Sequence, residues 1–113
     1  MSAPRRGEVW LVGFDPTKGH EQAGVRPALV LSVDGFNASP AGLVTVLPLT
    51  SKARQVRTRI EIAPPEGGLT TTSYVIGEQT RTISTGRLVK PLGTVSGATM
   101  AKVADVVRML LGL

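Results

Sequence analysis

Arg26-Pro-Ala-Leu-Val-Leu-Ser-Val33 and Leu43-Val-Thr-Val-Leu-Pro-Leu49 decide the fold. Both are near-continuous runs of β-forming residues, the pattern of strands covered on both faces. The residues between them, Asp34-Gly-Phe-Asn-Ala-Ser-Pro-Ala-Gly42, are turn material, so the two runs read as a hairpin-like pair. Arg26 stands at the mouth of the first strand with Pro27 stiffening the chain behind it, and the second strand empties into Thr50 and Ser51.

Working outward, Arg6–Phe14 alternates as a strand with Val9 and Leu11 on one face and Glu8, Trp10, Val12 and Phe14 on the other. Asp15–Gly24 breaks that pattern with Pro16, Gly19 and a polar run, and reads as a long mobile loop of the kind that closes over ligands. Thr58–Ala63 alternates strictly, which places Ile60 and Ile62 inward and Arg59 and Glu61 outward. Pro64-Pro-Glu-Gly-Gly68 is the clearest turn. Thr71–Ile83 and Arg87–Val95 are β-branched, with Pro91 suited to an edge or bend.

Ser96 is placed to cap a closing helix in which Met100, Val103, Ala104, Val107, Leu110 and Leu111 recur at helical spacing, and Gly112 is placed to end it. The expected class is mostly β with α (α+β): one domain over residues 1–113, a small barrel or strongly bent sheet with an amphipathic helix outside. No crossover helices separate the strands, which argues against a parallel βαβ fold.

Composition narrows the chemistry. The chain has 113 residues, no cysteine and one histidine, His20, so disulfide frameworks, thiolate metal sites, cysteine nucleophiles and multi-histidine metal sites are excluded. Glu8 and Asp15 leave the apolar segment behind Arg5-Arg6 too short for a signal or anchor, and the expectation is a soluble cytoplasmic protein without membrane contact. The net charge of +5 suits a polyanionic partner, although it also lies within the range of roughly 2–8 common to small soluble domains.

The candidate site residues follow from charge and hydroxyl placement. Arg26 is either a strand-end ion pair or a functional guanidinium. Thr50 and Ser51 stand before the cations Lys52, Arg54, Arg57 and Arg59, and hydroxyls beside cations can hold phosphate oxygens. His20 is the side chain whose ordinary pKa suits proton transfer near neutrality. Glu78 lies in a β-branched segment near Arg81, which makes a structural ion pair between them the expected arrangement. There is no P-loop, nucleophile elbow, zinc spacing or acidic cluster, so a nuclease built here would act without metal or other cofactor; RNA allows that, because its 2′-hydroxyl can attack the adjacent phosphate.

In order along the chain, Arg5-Arg-Gly-Glu-Val-Trp-Leu-Val12, Gly24-Val-Arg-Pro-Ala-Leu-Val-Leu-Ser32, Leu47-Pro-Leu-Thr-Ser51 and Gly77-Glu-Gln-Thr-Arg-Thr-Ile-Ser84 resemble the MazF/PemK/Kid toxin family over essentially the whole length. The resemblance implies an SH3-like barrel, a homodimer, and a metal-independent endoribonuclease that cuts single-stranded RNA to a 2′,3′-cyclic phosphate and a 5′-hydroxyl. It implies a cognate antitoxin; because a toxic nuclease must be silenced and acidic segments are drawn to a +5 surface, the expectation is that the antitoxin's disordered tail crosses the dimer and blocks Arg26. It assigns Arg26 and Thr50, with Ser51 beside it, to the scissile phosphate, leaves His20 and Glu21 as candidate bases, and places Glu78 where an acidic residue assists RNA binding or proton transfer. RNA contacts are implied for Glu21 and Gln22, for Lys52, Arg54 and Arg57, and for Gln79 and Arg81. Some members carry an arginine two positions before the carboxylate, where this chain has Ile76. Two other functions stand beside this one: a non-catalytic binding module, and a relative acting on DNA or gyrase.

Overall fold

The structure is a computed structural model that describes residues 3–14 and 24–113. Its elements run β1 (Glu8–Gly13), β2 (Val25–Val30), α1 (Asp34–Asn37), β3 (Leu43–Thr50), β4 (Arg59–Ile62), β5 (Ser73–Ile76), β6 (Arg81–Ser84), β7 (Leu88–Thr94) and α2 (Gly97–Leu111). Each strand pairing is antiparallel, in the order β4-β5-β3-β2-β1-β7, with β6 set beside β3. Among the described residues the sheet does not close, since β4 and β7 form its two edges. It is a bent, barrel-like sheet with one long helix.

β3 is the organising strand. Its start pairs with β6 (Val44 opposite Ile83), its middle with β2 (Leu47 opposite Leu29) and its end with β5 (Thr50 opposite Tyr74). Alternation along β1, β2 and β3 feeds two cores. Val9, Leu29, Leu47 and Leu49 pack with Ile60, Ile62, Val75, Val103 and Val107. Trp10, Val12, Ala28, Val30, Val44 and Val46 point the other way and pack with Phe14 and Ile83. Covering both faces explains why these strands read as apolar runs, and burying each aliphatic side chain contributes about 1.5–3 kcal/mol.

Three details differ from the sequence reading. The Thr71–Ile83 run is two strands, because β5 and β6 pair with β3 in different registers and Gly77–Thr80 forms the turn between them, closed by Gln79 N–H donating to the Ile76 carbonyl at 3.1 Å. Leu110 and Leu111, expected in the buried stripe of α2, are 42% and 61% exposed. The core beneath α2 ends at Val107, and the last turn runs out beside Gly77, Glu78 and Thr80. Arg59, expected to point outward, has its side chain largely covered, for a reason given below. Among the described residues no helix is long and apolar enough to cross a membrane.

The start of α2 is fixed twice. Ser96 caps it, its Oγ accepting from Thr99 N–H at 3.1 Å. Glu66 reaches across from the turn between β4 and β5, its Oε2 accepting from Ser96 N–H at 2.9 Å and from the Thr99 hydroxyl at 2.6 Å. Chiefly the Thr99 hydroxyl, then the Ser96 amide, hold the Glu66 carboxyl below the usual carboxylate range. A carboxyl whose pKa falls on folding stabilises the fold fully above its unfolded value, and that contribution is lost as pH falls through the folded value. Glu66→Gln should therefore lower thermal stability near neutrality, by about 1 kcal/mol for a capping contact. The gap between variant and wild type should narrow as melting is repeated between about pH 5 and pH 2. A gap that stays constant would show that the carboxylate charge is not what anchors α2.

Candidate functional site

Arg26 lies on β2 between β1 and β3, opposite Val12 on the β1 side. The β2–β3 ladder pairs Ala28 with Pro48, and the same register carried two residues further sets Arg26 across from Thr50. Thr50 is held from its other side by Tyr74 of β5. Each residue is thus held by a ladder on one side, Arg26 by β1 and Thr50 by β5, just beyond the end of the β2–β3 ladder.

They share one open groove of about 560 Å³. Leu11, Pro27, Leu49, Leu69 and Leu92 supply its apolar surfaces, while Arg26, Thr50, Ser51, Thr70, Thr71 and Ser73 supply its polar groups. Arg26 is exposed, and among the described residues no carboxylate lies within ion-pair distance of it. Among the described residues nothing engages its five N–H donors, and a strand-end ion pair with any described residue is ruled out. Thr50 Oγ1 accepts from Lys52 N–H at 3.2 Å, which leaves the hydroxyl proton free to donate. A cation with a planar donor fork, a donating threonine and an exposed serine on one rim form an acceptor-binding site suited to a phosphodiester.

The other expected residues lie elsewhere. His20, Glu21 and Gln22, with nearly all of the expected Asp15–Gly24 loop, lie outside the described residues. Lys52, Arg54 and Arg57 are exposed in the irregular segment after Thr50, and among the described residues none has a carboxylate partner. Glu78 does not line the groove and does not pair with Arg81. Its two oxygens accept from Nη1 of Arg59 at 2.9 and 2.7 Å, because β4 runs beside β5 and brings Arg59 opposite Ile76. Arg81 instead stacks over Phe14, 4.8 Å from the ring centre. Gln79 is exposed in the adjoining turn. Ile76 is 5% exposed, so the position is a core position in this chain.

Sequence reading missed Thr70, Thr71, Ser73 and Leu92 as groove residues. A signal was present in the hydroxyl run Thr70-Thr-Thr-Ser73, but it reads equally as strand. Only the pairing of β5 with the end of β3 brings that run to Thr50.

Comparison with known proteins gives the family and the fold. Residues 5–111 match the family described as PemK-like, MazF-like toxin of type II toxin-antitoxin system. Endoribonuclease MazF9 of Mycobacterium tuberculosis is 37% identical over 114 residues, covering 96% of this chain and 97% of that protein. The crystal structure of MazF from Deinococcus radiodurans superposes with a TM-score of 0.83 at 29% identity, covering 100% of both chains. A mycobacterial endoribonuclease solved with its cognate antitoxin superposes at 0.80 and 29% identity, covering 98% of this chain and 97% of that one. The chain belongs to the PemK/MazF family of endoribonuclease toxins of type II toxin–antitoxin systems.

Proposed function

We propose that this chain cleaves single-stranded RNA in the groove between Arg26 and Thr50 without a metal ion. The observation that carries the reading is a guanidinium with no carboxylate partner among the described residues and a hydroxyl able to donate, lining one groove from the ends of adjacent antiparallel strands. The substrate's 2′-oxygen attacks the adjacent phosphorus, the bond from phosphorus to the 5′-oxygen breaks, and the products are a 2′,3′-cyclic phosphate and a 5′-hydroxyl. One proton leaves the 2′-hydroxyl for a base and one reaches the departing 5′-oxygen. Arg26 stabilises the charge that builds on the phosphorane oxygens. A guanidinium keeps its proton, with a pKa above roughly 12, so its role is electrostatic. Thr50 and Ser51 orient the phosphate, and His20 or Glu21 stands as candidate base.

Family membership supports a homodimer silenced by a cognate antitoxin; to this we add a cytoplasmic location and an acidic antitoxin segment that covers Arg26. An acidic peptide and an RNA backbone present the same chemistry to a +5 surface, so each should exclude the other. The deciding experiment incubates purified protein with mixed-sequence RNA in excess EDTA. Fragments ending in cyclic phosphate are expected at undiminished rate. Cleavage that appears only on adding a divalent ion overturns the mechanism, and binding without product at excess protein reduces the chain to a binding module.

A further inference from the structure

We propose that the Arg59–Glu78 pair is a positioning device that holds residues 51–58 as a preformed cationic track for RNA phosphates leading away from Thr50. This rests on reading the Arg26–Thr50 groove as the RNA-cleavage site.

Four cations follow Thr50 in the sequence, and the structure divides them. Lys52, Arg54 and Arg57 are exposed and, among the described residues, lack carboxylate partners. The Arg59 side chain is 9% exposed and engaged with Glu78. Its Nε is buried with no hydrogen-bond partner among the described residues. Glu78 is 41% exposed, so the pair is screened by solvent on one side while Arg59 keeps an unmet donor on the other, and such a pair adds little to stability. The pair therefore calls for a role beyond stability.

Its surroundings supply one. Among the described residues, 51–58 have no ladder of their own, and their backbone hydrogen bonds to the rest of the fold lie at the two ends. At one end Lys52 N–H donates to Thr50 Oγ1 at 3.2 Å, at the rim of the groove. At the other, Arg59 N–H donates to the Val56 carbonyl at 3.2 Å and Gly77 N–H donates to the Thr58 carbonyl at 2.8 Å. The Arg59–Glu78 contact then ties that end to the β5–β6 turn. A cationic segment anchored this way meets an RNA backbone already ordered, whereas a loose one must be ordered on binding, at a loss of affinity.

The test is a mutant cycle read by binding to a 2′-O-methyl RNA of about twenty nucleotides, long enough to fill a single-strand site and unable to be cleaved by 2′-oxygen attack. Glu78→Gln should raise Kd about tenfold, the scale of ordering a short segment on binding. In a chain carrying Lys52→Gln, Arg54→Gln and Arg57→Gln, the same substitution should change Kd less than about twofold, because no cationic track remains to order. Arg59→Met combined with Glu78→Gln removes both charges, leaves no buried ion unpaired, and should reproduce the tenfold loss. On a dinucleotide too short to reach the segment, kcat should stay within about twofold of wild type.

An equal penalty in both backgrounds, or none in either, overturns the proposal. A fall in dinucleotide kcat overturns it too, by assigning Glu78 to the chemistry. If the wild-type chain cleaves no RNA, the cleavage reading fails separately, while the binding cycle still decides the role of the pair.

Discussion

Arg26→Ala should reduce RNA cleavage at least about a hundredfold in single turnover while leaving thermal unfolding unchanged. The size follows from removing a preorganised donor aimed at charge that develops in the transition state, which typically lowers kcat by about 10²–10³. The unchanged fold follows from position: the side chain is exposed and, among the described residues, unpaired, so its loss leaves neither a cavity nor a stranded partner. Arg26→Lys keeps the charge but loses the planar fork, and should recover only part of the rate. The fall should appear in kcat more than in KM, because the extra charge exists only in the transition state. If Arg26→Ala cuts at the wild-type rate, the catalytic centre lies elsewhere. If Arg26→Ala loses rate only through KM, Arg26 is a binding contact and no transition-state anchor.

Gly68→Ala should be the most destabilising single-methyl change tested here. Gly68 sits at φ +70°, where an L side chain is strained by about 1–2 kcal/mol. A Cβ there would also stand 1.9 Å from the Leu92 carbonyl oxygen, so backbone must move, and overpacking of that kind adds about 1–3 kcal/mol. Together that is about 2–5 kcal/mol, a large share of the 5–15 kcal/mol typical of a domain, and it should lower Tm by roughly 10–25 °C. Gly42→Ala isolates the two causes: its φ is +67° but nothing lies within 4 Å of the added carbon. That variant should lose only the conformational part. Equal losses at both positions, measured by thermal melting, would refute the close approach of the turn to β7. Because Gly68 and Leu92 both line the groove, Gly68→Ala should also lose cleavage below its melting temperature.

The outline of the fold was legible because its signals are local. The runs at β2 and β3, the alternation at β1 and β4, the Ser96 cap and the Gly112 stop each depend on a few neighbouring residues and survive in the structure. Arg26 and Thr50 were legible as candidates for the same reason, since each stands at the end of a recognisable strand. What escaped depends on pairing across long stretches of chain. Neither the burial of Arg59 nor its contact with Glu78 can be read without knowing that β4 lies beside β5, and nearness in sequence pointed wrongly to Arg81. The exposed end of α2 misleads differently: helical spacing marks a face as apolar but does not say how far the sheet beneath it extends.

The position of Thr50 as the last residue of β3 has one more consequence. Up to that residue the chain is committed to a strand gripped by β2, β5 and β6, where almost any change disturbs a core. From Ser51 to Thr58 it has no ladder and little burial, so substitutions there cost the fold almost nothing. The boundary between invariance and licence therefore falls at a single peptide bond. On the proposed reading, the contacts made from Lys52 onward can change to engage different RNA while Arg26 and Thr50 stay fixed in their strands.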